Sequence, residues 1–126
     1  MLESSEAMAF VPSEDLDRAE AFFHGILGLE VLSRSPYATV FRVSGATLRV
    51  IMVDELRPQS FTVFGWLVDD IRGVIGQLRS RGTETLRYDG FDQDDDGIWT
   101  TGNGDQIAWF HDPDANVLSL TQLADR

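Results

Sequence analysis

One order of signals runs twice along this chain, and that repeat limits the fold more than any other feature of the sequence. The first copy opens with a short apolar run at 7–11, closed by Pro12, which suits a strand. Ser13 then reads as a helix N-cap, with Glu14, Asp15 and Asp17 near the positive end of the helix dipole. Leu16, Ala19, Phe23, Ile26 and Leu27 recur at helical spacing, so a helix over 15–27 buries one face and stops at Gly28. Strands at 29–33, 38–43 and 47–53 follow, separated by Ser35-Pro36 and Ser44-Gly45. The second copy has a strand at 61–68 and a helix over 70–81 begun by Asp69-Asp70. Ile71, Val74, Ile75 and Leu78 lie one turn apart on one face of that helix, and Gly82 ends it. Segments 84–88, 97–101, 106–111 and 117–121 then read as strands. Asp15-Leu16 and Asp70-Ile71 hold equivalent places, so the chain is a βαβββ unit used twice. The expectation is a single α+β domain over 1–126, with modules at about 7–53 and 61–122 and a linker at 54–60 that contains Pro58. The acidic run 92–96 is expected as a solvated loop.

Composition excludes several functions. All ten basic residues are arginine against 21 acidic ones, for a formal charge of −11. That field repels nucleic acid and anionic membrane and favours cationic ligands. There is no lysine for Schiff-base chemistry, and no cysteine for disulfides, thiolate metal sites or a thiol nucleophile. No apolar run approaches the roughly 20 residues that span a bilayer, and the first residues are acidic where a secretory signal is basic. A cytoplasmic location is the expectation.

Three segments carry a family resemblance. The first comprises Ala9-Phe10-Val11-Pro12-Ser13-Glu14-Asp15-Leu16, then Phe22-Phe23 and Leu27-Gly28-Leu29. The second is Phe64-Gly65-Trp66-Leu67-Val68-Asp69-Asp70-Ile71, and the third is Trp109-Phe110-His111-Asp112-Pro113-Asp114-Ala115-Asn116. In this order and spacing the chain resembles the glyoxalase/bleomycin-resistance/extradiol-dioxygenase superfamily, the vicinal oxygen chelate (VOC) fold, over nearly its whole length. Ala115 stands where that turn usually has glycine. The resemblance implies paired, curved, mixed sheets around a concave pocket, a homodimer and a small-molecule ligand. It does not by itself imply one activity, because the fold hosts isomerases, lyases, dioxygenases and drug-binding proteins.

Metal enzymes of the superfamily place ligands on the first and last strand of each module. Those positions fall here on Met8, Val63, Ser119 and, by symmetry, Arg49. Divalent metals on such a scaffold need imidazole or carboxylate donors, so no metal and no cofactor is expected. Strand alternation puts Leu48, Val50 and Met52 on one face and Thr47, Arg49 and Ile51 on the other. Arg49 therefore either grips an oxyanion in the pocket or pairs with one of the chain's carboxylates. Trp99, after the acidic loop, is the aromatic expected at a ligand, whereas Phe41, Phe64, Trp66 and Phe110 are expected in the core. Met8, Phe10, Arg49, Val63, Trp99 and Ser119 make up the candidate ligand-binding set. No catalytic residue is assigned: His24 and His111 match no ligand position and lack the flanking pattern of a triad. Gly102-Asn103-Gly104-Asp105 is a tight turn without the features of a phosphate loop. The resulting reading is metal-independent binding of a small molecule, of a sequestering or resistance type. The alternative is a glyoxalase-like lyase or isomerase, or a dioxygenase, with unusual metal ligands.

Overall fold

A computed structural model describes residues 1–125. The chain divides into two compact units, Met1–Pro58 and Gln59–Arg126. Unit 1 contains β1 (Ala7–Ser13), α1 (Leu16–Glu20) running into a π-helical segment (Ala21–Ile26), then β2 (Glu30–Arg34), β3 (Ala38–Val43) and β4 (Ala46–Met52). Unit 2 contains β5 (Thr62–Leu67), α2 (Ile71–Ser80), β6 (Trp99–Thr100), β7 (Gln106–His111) and β8 (Val117–Gln122). The strand orders are β1-β4-β3-β2 and β5-β8-β7-β6. In each sheet the first strand is an edge strand that runs parallel to the last one. The repeat read from the sequence is thus a repeat of topology. No helix among the described residues is long and apolar enough to cross a membrane.

In unit 1, Pro12 does not end β1, because β1 is an edge strand and a missing amide hydrogen costs nothing on its open side. The helix cap is Asp15, whose Oδ1 accepts from the Arg18 amide at 3.0 Å. Ser13 was the expected cap. Its hydroxyl is instead buried and folds back on Asp15, accepting from the Asp15 amide and donating to the Asp15 carbonyl. The expected helix over 15–27 forms, but its second half widens, with the Leu27 amide reaching Phe22 and the Leu29 amide reaching Phe23. Phe22 and Phe23, three and four residues after the buried Ala19, are both buried and meet edge to face at 5.3 Å. Phe23 packs on Phe41, and with Val11, Ala19, Leu48 and Val50 they form this unit's core.

In unit 2, Asp70 caps α2 by accepting from the Gly73 amide, so the two aspartates matched in the sequence hold matched positions. Helix α2 buries Ile71, Ile75 and Leu78 against β7 and β8, each worth roughly 1.5–3 kcal/mol of gross apolar burial. It closes in a Schellman arrangement: Gly82 has φ +87°, and the amides of Gly82 and Thr83 reach the carbonyls of Arg79 and Leu78. Phe110 is core, as expected, but Phe64 and Trp66 on the edge strand are only half-buried.

Three expectations fail between α2 and β7. Segment 84–88 is not a strand; the Leu86 amide reaches Trp109, and the Tyr88 amide and Leu86 carbonyl are bonded by the Gln93 side chain. The strand expected at 97–101 shrinks to Trp99–Thr100. The acidic run 92–96 is not merely solvated. Asp94 and Asp96 are salt-bridged to Arg72 and Arg79 of α2, and Arg87 donates to the carbonyls of Asp94 and Asp95. Exposed pairs of this kind add little stability, so the clamp chiefly fixes the loop's path.

The turn before β8 holds Ala115 at φ 64°, the left-handed region that disfavours a Cβ by roughly 1–2 kcal/mol. Ala115→Gly relieves that strain but adds freedom to the unfolded chain, which offsets about 0.4–1 kcal/mol. The expected net gain is about 0.5–1 kcal/mol, read as a higher urea midpoint at unchanged slope. A lower midpoint would show that the turn is relaxed with alanine.

Candidate functional site

In unit 1 the register settles which side chains share a face. Arg49 on β4 lies beside Phe10 of β1 and Val40 of β3, while Thr47 lies beside Met8. Leu48, Val50 and Phe41 point to the helix side and are buried. Met8, Phe10, Val40, Thr47, Arg49 and Ile51 therefore lie on the opposite face, as the alternation of β4 predicts. Met8 and Phe10 are 51% and 55% exposed, and Arg49 is half-buried. The guanidinium of Arg49 makes no hydrogen bond and no ion pair among the described residues.

In unit 2, Ser119 on β8 sits between Gly65 of β5 and Trp109 of β7. A Cβ on Gly65 would stand 2.3 Å from the Ser119 Oγ, so glycine allows the hydroxyl to lie against the edge strand. Val63 falls at an irregularity in the β5–β8 pairing, between Thr62 and Phe64, and has no cross-strand partner. Trp99 stacks near Trp109 at 6.3 Å. The structure thus brings Met8, Phe10 and Arg49 together in unit 1 and Ser119 and Trp99 onto one face of unit 2.

The positions that correspond to metal ligands do not fit a metal. Met8 offers a thioether, Val63 no donor, Ser119 a hydroxyl and Arg49 a cation, against the carboxylate or imidazole set that divalent ions require. No group of three or more histidines, aspartates or glutamates is placed to hold an ion among the described residues. His24 uses Nδ1 at the Leu29 carbonyl, 2.8 Å away, to finish the helix end, and His111 is exposed at the end of β7.

Sequence reasoning missed an aromatic concavity of unit 2. A cavity of about 320 Å³ is lined by Ser60, Phe61, Thr62, Tyr88, Phe91, Trp109 and Val117. Phe91 and Trp109 are nearly parallel at 5.6 Å, Tyr88 meets Trp109 edge to face at 5.3 Å, and Phe91 touches Trp99 at 4.9 Å. Burial pushes the Tyr88 phenol pKa up from its ordinary value, which keeps it neutral. Trp99 belongs to this aromatic cluster but does not line the cavity. For Trp109 a signal existed, since β7 alternates and buries its neighbours Ala108 and Phe110 on the helix side. Tyr88 and Phe91 come from an irregular segment without periodicity.

That segment is held by Gln93. Its Oε1 accepts from the Tyr88 amide at 2.7 Å, and its Nε2 donates to the carbonyls of Leu86 and Gly97 at 2.9 and 2.8 Å. The half-buried amide satisfies three main-chain groups and so fixes the loop that presents Tyr88 and Phe91.

No family model and no curated protein matches the chain. Solved structures do. A glyoxalase/bleomycin resistance protein/dioxygenase from Alicyclobacillus acidocaldarius shares 19% identity over 97% of this chain and 93% of its own, with a TM-score of 0.74. A genomically encoded fosfomycin resistance protein, FosX, from Listeria monocytogenes shares 15% over 96% and 94%, also at 0.74. A lactoylglutathione lyase from Agrobacterium tumefaciens shares 16% over 94% and 93%, at 0.73. The doubled βαβββ chain with its two four-stranded mixed sheets has the fold of the glyoxalase/bleomycin resistance/dioxygenase proteins.

Proposed function

We propose that this chain binds a small, flat, cationic organic molecule in the aromatic cavity of unit 2, without a resident metal, and acts by sequestering it. The observation that carries this reading is the cavity's lining: four aromatic side chains and two small hydroxyls around about 320 Å³, within the range of ligand pockets. The lining has no imidazole, carboxylate or amine, so it supports binding ahead of lyase or isomerase chemistry. Asp89 and Asp92 follow Tyr88 and Phe91 directly in the chain, and neither carboxylate has a partner among the described residues. Together with the charge of −11 they favour a cation at the ring faces. The homodimer that goes with the resemblance belongs to the same proposal and is read from mass in solution.

Calorimetry with N-methylacridinium, neutral acridine and acridine-9-carboxylate tests it. The cation is expected to bind best and the anion worst, and Trp109→Ala to weaken the cation roughly ten-fold through loss of stacking and cation–π attraction. Equal affinity for cation and anion, or a Trp109→Ala protein that is folded and binds as well as before, defeats the reading.

A further inference from the structure

Arg49 lies in the other unit and raises a separate question. Every other arginine among the described residues has a partner: Glu20 for Arg34, Glu30 for Arg42, Glu55 for Arg57, the acidic loop for Arg72, Arg79 and Arg87, and further contacts for Arg18 and Arg81. In a chain with 21 acidic residues, a half-buried arginine whose guanidinium has no partner among the described residues is an exception. Its surroundings explain why nothing in the unit satisfies it. Strand β4 is interior to its sheet, so its main-chain carbonyls are taken by the ladders with β1 and β3. The side chains beside Arg49 across those ladders are Phe10 and Val40, and Ile51 lies two residues along the same face. The one carboxylate that the register brings near this face, Glu30 opposite Arg42, is already bonded to Arg42.

A guanidinium on an apolar face without a protein acceptor leaves its donors to water alone, and an oxyanion from outside gives them a charge-assisted partner. Beside it stands Phe10, a large apolar side chain more than half exposed in register with the cation. We propose that Arg49 anchors a second binding site, on unit 1, for a carboxylate or phosphonate carried on a flat apolar group that lies against Phe10. The planar fork of Arg49 takes two oxygens of the anion in parallel, and the ring of Phe10 covers the apolar part. The overall negative charge does not forbid this, because at physiological salt charges beyond about 8 Å are largely screened and the nearest charge decides. The opposed cues of an acidic protein and a candidate-site arginine are thereby assigned to different units: a cation at the rings of unit 2, an oxyanion at Arg49.

The test is calorimetry of the full chain with benzoate and phenylphosphonate, with benzyl alcohol as the uncharged control. Both anions are expected to bind and the alcohol not to. Arg49→Met is expected to raise the Kd of both about ten- to a hundred-fold. Arg49→Lys should recover part of this, since charge returns without the fork. Phe10→Ala should weaken benzoate while leaving inorganic phosphate unchanged, and Trp109→Ala should alter neither anion. Should Arg49→Met fail to fold, the Nε–Hε resonance of Arg49 in the unmodified protein gives the answer. A shift during the benzoate titration supports the site, and its absence overturns it. Equal binding of benzoate to the folded Arg49→Met protein, or no binding of either anion at millimolar concentration, also overturns it.

Discussion

Asp112→Ala is expected to destabilise the protein by about 3 kcal/mol or more, a large share of the roughly 5–15 kcal/mol that holds a domain folded. Asp112 is 5% exposed, and its two oxygens organise the turn before β8. Oδ1 accepts from the amides of Asp114 and Asn116, both at 2.9 Å, and Oδ2 accepts from the Asn116 side chain at 2.8 Å. Alanine leaves these three buried donors short of an acceptor, at roughly 1–3 kcal/mol each where water cannot reach. The melting temperature should fall by roughly 10 °C or more. Asp112→Asn keeps the acceptor for the two amides but turns an NH2 group toward that of Asn116, so its cost should be intermediate. Burial pushes the Asp112 carboxyl pKa up, against the lowering effect of its donors. The native state then holds this proton at pH values where the unfolded chain has released it, so the group's contribution weakens as pH rises through the raised pKa. That local pH dependence should vanish in Asp112→Asn. A loss below 1 kcal/mol in Asp112→Ala would mean that water replaces the carboxylate.

Asp112 was visible in the sequence only as part of a turn pattern, and the same division holds elsewhere. Elements whose side chains follow a period were legible: the equivalent places of Asp15 and Asp70 at the two helix starts (although Ser13 was expected as the first cap), the face of α2, and the alternation that puts Arg49 opposite Leu48 and Val50. The expected strand at 84–88 was not, because its Tyr88 amide and Leu86 carbonyl are met by the Gln93 side chain rather than by a ladder, while its Thr85 and Arg87 side chains donate to carbonyls of the acidic loop. Such bonds leave no periodic trace. Likewise 92–96 reads as a charge run, and nothing local tells which carboxylates will meet Arg72 and Arg79 some twenty residues earlier. For the candidate site, β4 alone placed Arg49, but its lack of a partner depends on what Phe10 and Val40 bring from two other strands. The aromatic cavity was hidden for the same reason, since its rings come from β7, from the irregular segment before β6 and from Phe61 just ahead of β5.

Gln93→Ala is expected to cost about 2 kcal/mol and, unlike the Asp112 variants, to act on the aromatic cavity. It orphans the Tyr88 amide and the carbonyls of Leu86 and Gly97. The site is half-buried, so water restores part of the roughly 1–3 kcal/mol that each unsatisfied group loses in full burial. Tyr88 and Phe91 pack on Trp109, and loosening the first two exposes the third. Trp109 emission should therefore move to the red in the folded variant, measured in a background with Trp66 and Trp99 replaced by phenylalanine. Gln93→Glu separates positioning from bulk. It keeps the acceptor for the Tyr88 amide and nearly the same volume, yet it sets a carboxylate against two carbonyl oxygens. It should be at least as damaging as alanine at neutral pH and recover on acidification, when the protonated acid again donates to one of them. A residue that merely filled space would show the reverse order, with glutamate tolerated and alanine not. Binding of oxyanions at Arg49 should be unchanged in both variants, since no bond of Gln93 reaches unit 1. An unmoved Trp109 spectrum in a destabilised Gln93→Ala protein would show that the aromatic wall stands without the glutamine.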